Sequence, residues 1–219
     1  MWELYVHFSL LALNLAVWLV LYKKLDSPFR LLGWTLLLTA LFEAYAAYLL
    51  LNKTRNLHLY HLLTPLQYVL YSLVFYKVLE GTIYRRAVIL TIPAYLLVSG
   101  IITFFFQGLS EYNSYALSLK NVLLTLWVLL YYREIFTSLK VVELTKDAMF
   151  WTSTGLLFYS LGSFFVDGLM HYMLGKSFEM ANAFFYISIF LGYLLHGTFL
   201  IAFLLEWKKT PYALERAKL

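Results

Sequence analysis

The stretch FRLLGWTLLLTALFEAYAAYLLL, residues 29–51, decides the fold. Between Arg30 near its start and Lys53 just beyond its end the only charge is Glu43. A helix rises about 1.5 Å per residue, so about 20 apolar residues cross a hydrocarbon core of about 30 Å. The segment reads as a spanning helix that carries one carboxylate into the membrane. Six further apolar runs have the same character: Glu3 to Tyr22, Leu59 to Leu79, Tyr84 to Phe106, Ser114 to Tyr132, Ala148 to Leu174 and Met180 to Trp207. Short polar breaks separate them, among them Asp26-Ser27-Pro28, Asn52 to Asn56, Gly81-Thr82, Glu111 to Ser114 and Gly175-Lys176-Ser177. The expectation is an all-α polytopic membrane protein of seven transmembrane helices. It forms one domain over residues 1–207, followed by a short basic tail over 208–219.

Composition agrees with that pattern. Of the 219 residues 62% are hydrophobic and 13% charged, against about 45–50% and about 25% in an average soluble domain. Mean hydropathy is +0.73. The length accommodates at most about eight to ten crossings and no soluble domain beside them, which excludes a fused kinase, nucleotide-binding or DNA-binding module. A net charge of +5, from 17 Lys+Arg against 12 Asp+Glu, fits loops that fix topology better than a nucleic-acid surface. With no cysteine, disulfides, thiolate metal sites and cysteine nucleophiles are absent. The first apolar run starts at an acidic residue and ends at Lys23 and Lys24, the reverse of a signal peptide, so it is expected to be retained.

The basic residues set the orientation. Lys23, Lys24, Arg30, Lys77, Arg85, Arg86, Arg133, Lys140, Lys146, Lys208, Lys209, Arg216 and Lys218 fall on the side of loops one, three and five and the tail. Lys53, Arg55 and Lys176 fall on the other side, and Lys120 lies inside a helix. By the positive-inside rule the N-terminus is outside and the C-terminus cytoplasmic, in a bacterial inner membrane. Trp18, Trp34, Trp127, Trp151 and Trp207 lie near the inner ends of their helices, as an aromatic belt would. Asn52-Lys53-Thr54 matches a glycosylation acceptor, a pattern too short to carry weight.

Helix one contains Trp18 to Lys24 and helix five the similar Trp127 to Arg133, while helices two and six open with Trp34-Thr35 and Trp151-Thr152. This resembles the three-plus-one-plus-three repeat of the sugar-transporter and lysosomal-exporter superfamily. Thr64-Pro65-Leu66-Gln67 is similar to its proline-glutamine motif, with a leucine inserted. The same spacing also follows if aromatic and basic residues simply gather at every inner boundary.

Polar residues inside the membrane carry the functional reading, because a charge there costs about 2.5–3.5 kcal/mol on insertion scales and needs a partner, a cavity or a use. At about 1.5 Å per residue, Glu43, His61, Gln67, Lys120, Asn121, Asp167, His171 and His7 lie toward the outer half, and His196 and Asn14 near or below the midplane. Residues three or four apart share a helix face, which gives each helix except the fourth one polar stripe. Tyr68 joins the stripe of helix three, and Tyr193 and His196 that of helix seven. Helix four carries no intramembrane charge and a Pro93 that invites a kink, so it is expected at the periphery, with the other six around a polar core opening outward.

Such a core admits three uses. In the first, Lys120 pairs with Glu43 or Asp167 and the remaining groups are glue between helices, as in a non-catalytic subunit of a larger complex. In the second, Glu43, His61, Gln67, Tyr68, Lys120, Asn121, Asp167, His171, Tyr193 and His196 line a pocket for a small polar solute, with His61 and His171 as pH-sensitive gates. In the third, His7, His61, Asp167 and His171 bind zinc as in an intramembrane hydrolase resembling the ceramidase and progestin-receptor superfamily. That family's His-x-x-x-His pair on the last helix is missing here, where helix seven has only His196. No cofactor is expected outside that reading. A retinal lysine is misplaced, since Lys208 and Lys209 stand at the inner end of helix seven, and phosphate loops and Ser-His-Asp triads are missing.

The segments Leu59 to Tyr68, Phe105 to Lys120 and Phe150 to Gly155 with Tyr159 together resemble a family of short bacterial seven-span integral membrane proteins with no known activity. Gln67 and Lys120 stand where that resemblance implies carboxylates, so the pocket's charge varies between members. The expected protein is a transporter or ligand sensor in contact with the bilayer and a small solute. A sensor also needs a cytoplasmic or membrane signalling partner. A pocket sealed on the inner side favours sensing, and a repeat-related pseudo-symmetry favours transport.

Overall fold

A computed structural model describes residues 2–138 and 143–216. Lys140 and Lys218 of the basic set lie outside them, as does the side chain of His171. The apolar runs form seven long helices: α1 Trp2–Leu21, α2 Ser27–Leu51, α3 Leu57–Val78, α4 Thr82–Ile101, α5 Ser114–Ser138, α6 Ala148–Lys176 and α7 Phe178–Arg216. A π-helical turn, Ile102–Phe106, extends α4, and a 3-10 turn, Leu144–Lys146, precedes α6. Among the described residues there is no strand. Among the described residues five helical stretches are long and apolar enough to cross a membrane: Ser27–Leu51, Thr82–Phe106, Ser114–Ser138, Ala148–Met170 and Glu179–Lys209. The apolar part of α1, Tyr5–Leu21, is shorter. α3 is matched in length but diluted by His58, His61, Gln67 and Lys77.

Local chemistry explains the helix ends. Pro28 sits in the first turn of α2, where a missing N–H costs nothing. At the other end the Thr54 and Lys53 amides donate to the Leu49 and Leu50 carbonyls at 2.9 Å each, a Schellman closure. It puts Lys53 at φ 56°, a left-handed position that usually holds glycine. Asp147 caps α6 by accepting from the Phe150 amide at 2.7 Å and also takes the Tyr131 hydroxyl at 3.0 Å. α5 runs to Ser138, past the expected end at Tyr132, because Ile135 is buried among core residues although Arg133 and Glu134 mark the interface. α7 continues through residues 208–216, so the first nine residues of the expected tail prolong the last helix.

Six helices close into a ring. α1 packs on α2 and α7, α2 on α3, α3 on α5, α5 on α6, and α6 on α7. α4 lies outside that ring against α3 and α5 and buries only Val88, Tyr95 and Ser99. α1 and α7 run parallel: Tyr193 reaches the Glu3 carbonyl, the His196 ring meets His7, and Trp207 meets Lys24. At the end of the bundle that carries Lys24, Trp18, Leu32, Phe75, Phe199 and Phe203 are each no more than 1% exposed and fill the ring. Gly33 permits that filling, since a Cβ there would fall 2.0 Å from Trp18 Nε1. Trp18 also packs edge to face on Trp34 at 5.2 Å. Trp127 and Trp151 make no such contact, Trp151 donating instead to the Thr145 carbonyl at 2.9 Å, so the two tryptophan pairs are used differently.

Candidate functional site

Toward the other end the ring is hollow. A cavity of about 380 Å³ lies between α1, α2, α3, α6 and α7, and its lining reaches Glu3 at the start of α1 and Asn56 after α2. Most of the wall is apolar, from residues such as Phe8, Leu36, Ala46, Leu50, Phe185 and Ile189. Its polar groups are concentrated. His7 Nε2 and Glu43 Oε2 stand 2.6 Å apart with side chains 20% and 24% exposed. Behind them the His196 ring lies 5.3 Å from His7 in a T-shaped arrangement. His196 is 4% exposed and its Nδ1 has no partner. Asn14 fixes this part of α7 by donating from Nδ2 to the His196 carbonyl at 3.0 Å.

Gln67 forms the boundary between the cavity and a second polar region. Its Nε2 donates to Thr39 Oγ1 at 3.0 Å, and Thr39 passes its own hydroxyl to the Thr35 carbonyl at 2.9 Å. On the other side Lys120 Nζ donates to Gln67 Oε1 at 3.1 Å. Lys120 is 2% exposed and does not line the cavity. Contrary to expectation, Lys120 forms no ion pair within 4 Å with Glu43 or Asp167: its ammonium bonds Gln67 on the Glu43 side and acts on Asp167 only through space.

The second region is filled. Asp167, 8% exposed, accepts from the Tyr112 hydroxyl at 2.6 Å on one oxygen and from Asn121 Nδ2 at 3.1 Å on the other. Burial, and then the adjacent carboxylate, push the Tyr112 phenol far above its ordinary range, which keeps it a donor. His61 Nε2 lies 3.1 Å from the Glu111 carbonyl, which can only accept, so the proton sits there and Nδ1 accepts from Thr103 Oγ1 at 3.0 Å. Tyr68 points away from the cavity, donating to Thr91 Oγ1 at 2.8 Å and packing on Tyr95 with centroids 4.1 Å apart.

The ten expected pocket residues are therefore divided. Glu43, Gln67 and His196 line the cavity together with His7, and Tyr193 holds its rim through the Glu3 carbonyl at 2.7 Å. His61, Tyr68, Lys120, Asn121 and Asp167 stand behind its wall, and the His171 side chain lies outside the described residues. The three described members of the zinc quartet, His7, His61 and Asp167, do not converge, and the fourth, His171, has its side chain outside the described residues. His7 is bound to Glu43, His61 to Thr103 and the Glu111 carbonyl, and Asp167 to Tyr112 and Asn121. Among the described residues no three His, Asp or Glu side chains could share a metal ion.

Sequence reasoning missed Tyr112, Gln107 and Asn113. The loop between α4 and α5 folds inward, with Gln107 2% and Asn113 1% exposed, and Gln107 Nε2 donates to Ser114 Oγ at 2.8 Å. A loop rich in amide and phenol side chains but with a single charge, Glu111, was the available signal. No family model, curated protein or solved structure matches this chain.

Proposed function

We propose that the chain crosses the inner membrane seven times, N-terminus outside and C-terminus in the cytoplasm, and binds a small solute in the outward cavity as a sensor. The observation that carries this reading is a cavity lined near one end of the ring and stopped by a layer of buried aromatic side chains. Trp18, Phe75 and Phe199 fill the space below it, which favours a bound signal over a transport path. Asn14, placed by its depth in the sequence near or below the midplane, is used to hold α1 to α7. Three features support the topology: five stretches of spanning character, the parallel run of α1 and α7, and the excess of basic residues in loops one, three and five. Output then passes to a membrane or cytoplasmic partner docked on those basic loops, with Lys23, Lys24, Arg85 and Arg86 as its contacts.

The absence of cysteine makes the test direct. A single Ser188→Cys variant places one thiol in the cavity wall. In oriented membrane vesicles a membrane-impermeant thiol reagent should modify it from the outer side only. Equal modification from both sides would indicate a transporter, and none from either side would remove the outward-cavity reading.

A further inference from the structure

Resting on that ligand-binding reading, we propose that the cavity takes a small amphiphilic organic cation, an ammonium group carried on an apolar body. The fixed charge of the wall rests on Glu43. Among the described residues no Lys or Arg lines the cavity, and the Glu43 carboxylate has the His7 imidazole beside it. The nearest buried ammonium, Lys120, is held behind Gln67. A ligand carboxylate or phosphate would meet the Glu43 charge with only the His7 imidazole, already engaged by that carboxylate, to offset it.

The rings argue the same way. Phe8, Tyr60, Tyr71, Tyr159 and Phe185 all contribute to the wall. Aromatic faces attract ammonium groups within about 6 Å, most strongly where water is excluded. A carboxylate close to such rings forms a box in which a cation replaces its hydration shell. His196 adds a nearly buried imidazole to the same wall, its ring 5.3 Å from that of His7. The rest of the wall, including Leu36, Leu50 and Ile189, offers nothing polar and suits a hydrocarbon body. A volume of about 380 Å³ lies at the small end of ligand pockets, which run from about 300 to 1,000 Å³.

Three probes of one shape and different charge decide the matter: 4-phenylbutylamine, 4-phenyl-1-butanol and 4-phenylbutanoate. Each is titrated calorimetrically into the full chain in phosphatidylcholine nanodiscs, with empty discs as the baseline, and each is tested for protecting Ser188→Cys from the thiol reagent. The amine should protect and should bind about tenfold or more tighter than the alcohol, with the carboxylate weakest. Glu43→Gln should reduce the amine to the level of the alcohol while leaving the alcohol unchanged. If Glu43→Gln does not fold, Phe185→Leu at a half-exposed wall position serves instead, again weakening the amine selectively. Equal or tighter binding of the carboxylate, or an amine preference that survives both variants, overturns the proposal. If no probe protects a thiol that is still modified from outside, the cation class is wrong and the cavity stands. A thiol that is not modified at all removes the cavity itself.

Discussion

The two polar regions beside Gln67 use the same kinds of side chain to opposite ends. Around Asp167 a carboxylate, an amide, a phenol and a nearby imidazole are spent on one another and on loop carbonyls. Both carboxylate oxygens are occupied and the loop between α4 and α5 is drawn into the bundle. Around Glu43 a carboxylate and two imidazoles line the cavity, with His7 and Glu43 paired on its surface. A polar group bonded within the bundle ties helices together, whereas one facing a void can serve a ligand. Residue type and depth do not separate the two cases; only the facing element does.

The largest stability effect is expected in the filled region. Asp167→Ala strands the Tyr112 hydroxyl and Asn121 Nδ2 and removes two charge-assisted hydrogen bonds, a loss of about 3 kcal/mol. Thermal unfolding in mild detergent should show a clearly lower midpoint, with Asp167→Asn intermediate. A fully stable Asp167→Ala protein would dissolve the contrast between the two regions.

Much of this arrangement was legible in the chain itself. Seven long apolar runs read as helices at this hydropathy, and helix four could be placed outside the ring because it carries no intramembrane charge. Depth and spacing put Glu43 and His7 at one level, whereas His196, expected near or below the midplane, stands with its ring 5.3 Å from His7. What periodicity cannot supply is the rotation of each helix against its neighbour. Lys120 was expected to meet a carboxylate because opposite charges attract, yet its neighbour across α3 is Gln67, an amide that accepts from the lysine and donates to Thr39 at once. Tyr68 shares a helix with Gln67 but points to α4, since one step along a helix turns a side chain by about 100°. Tyr112 falls in the polar break Glu111 to Ser114, and no helical pattern reports a loop that folds inward.

A middle-sized effect should come from the residue between the regions. Lys120→Met removes a buried ammonium and replaces it with an apolar chain of similar length, a change that is often close to neutral when the charge has no tight counter-ion. The remaining cost is Gln67 Oε1 losing its donor, about 1 kcal/mol. Unfolding of Lys120→Met should therefore fall between the parent and Asp167→Ala, and amine binding should not weaken, since a cation has been taken from behind the wall. A collapse as severe as that of Asp167→Ala would mean that the ammonium also supports the Asp167 cluster.

The smallest change in stability should accompany the largest change in binding. His7 and Glu43 form a part-exposed pair, and such pairs contribute about 1 kcal/mol or less. His7→Ala and Glu43→Gln should unfold close to the parent in the same detergent assay. His7→Ala also frees the carboxylate oxygen that the imidazole occupies, so it should leave amine binding intact or tighten it, whereas Glu43→Gln should abolish the amine preference. That pattern separates a carboxylate kept for a ligand from one kept for the fold. If either variant unfolds as readily as Asp167→Ala, the pair is glue like its neighbour, and the void beside it has no ligand to hold.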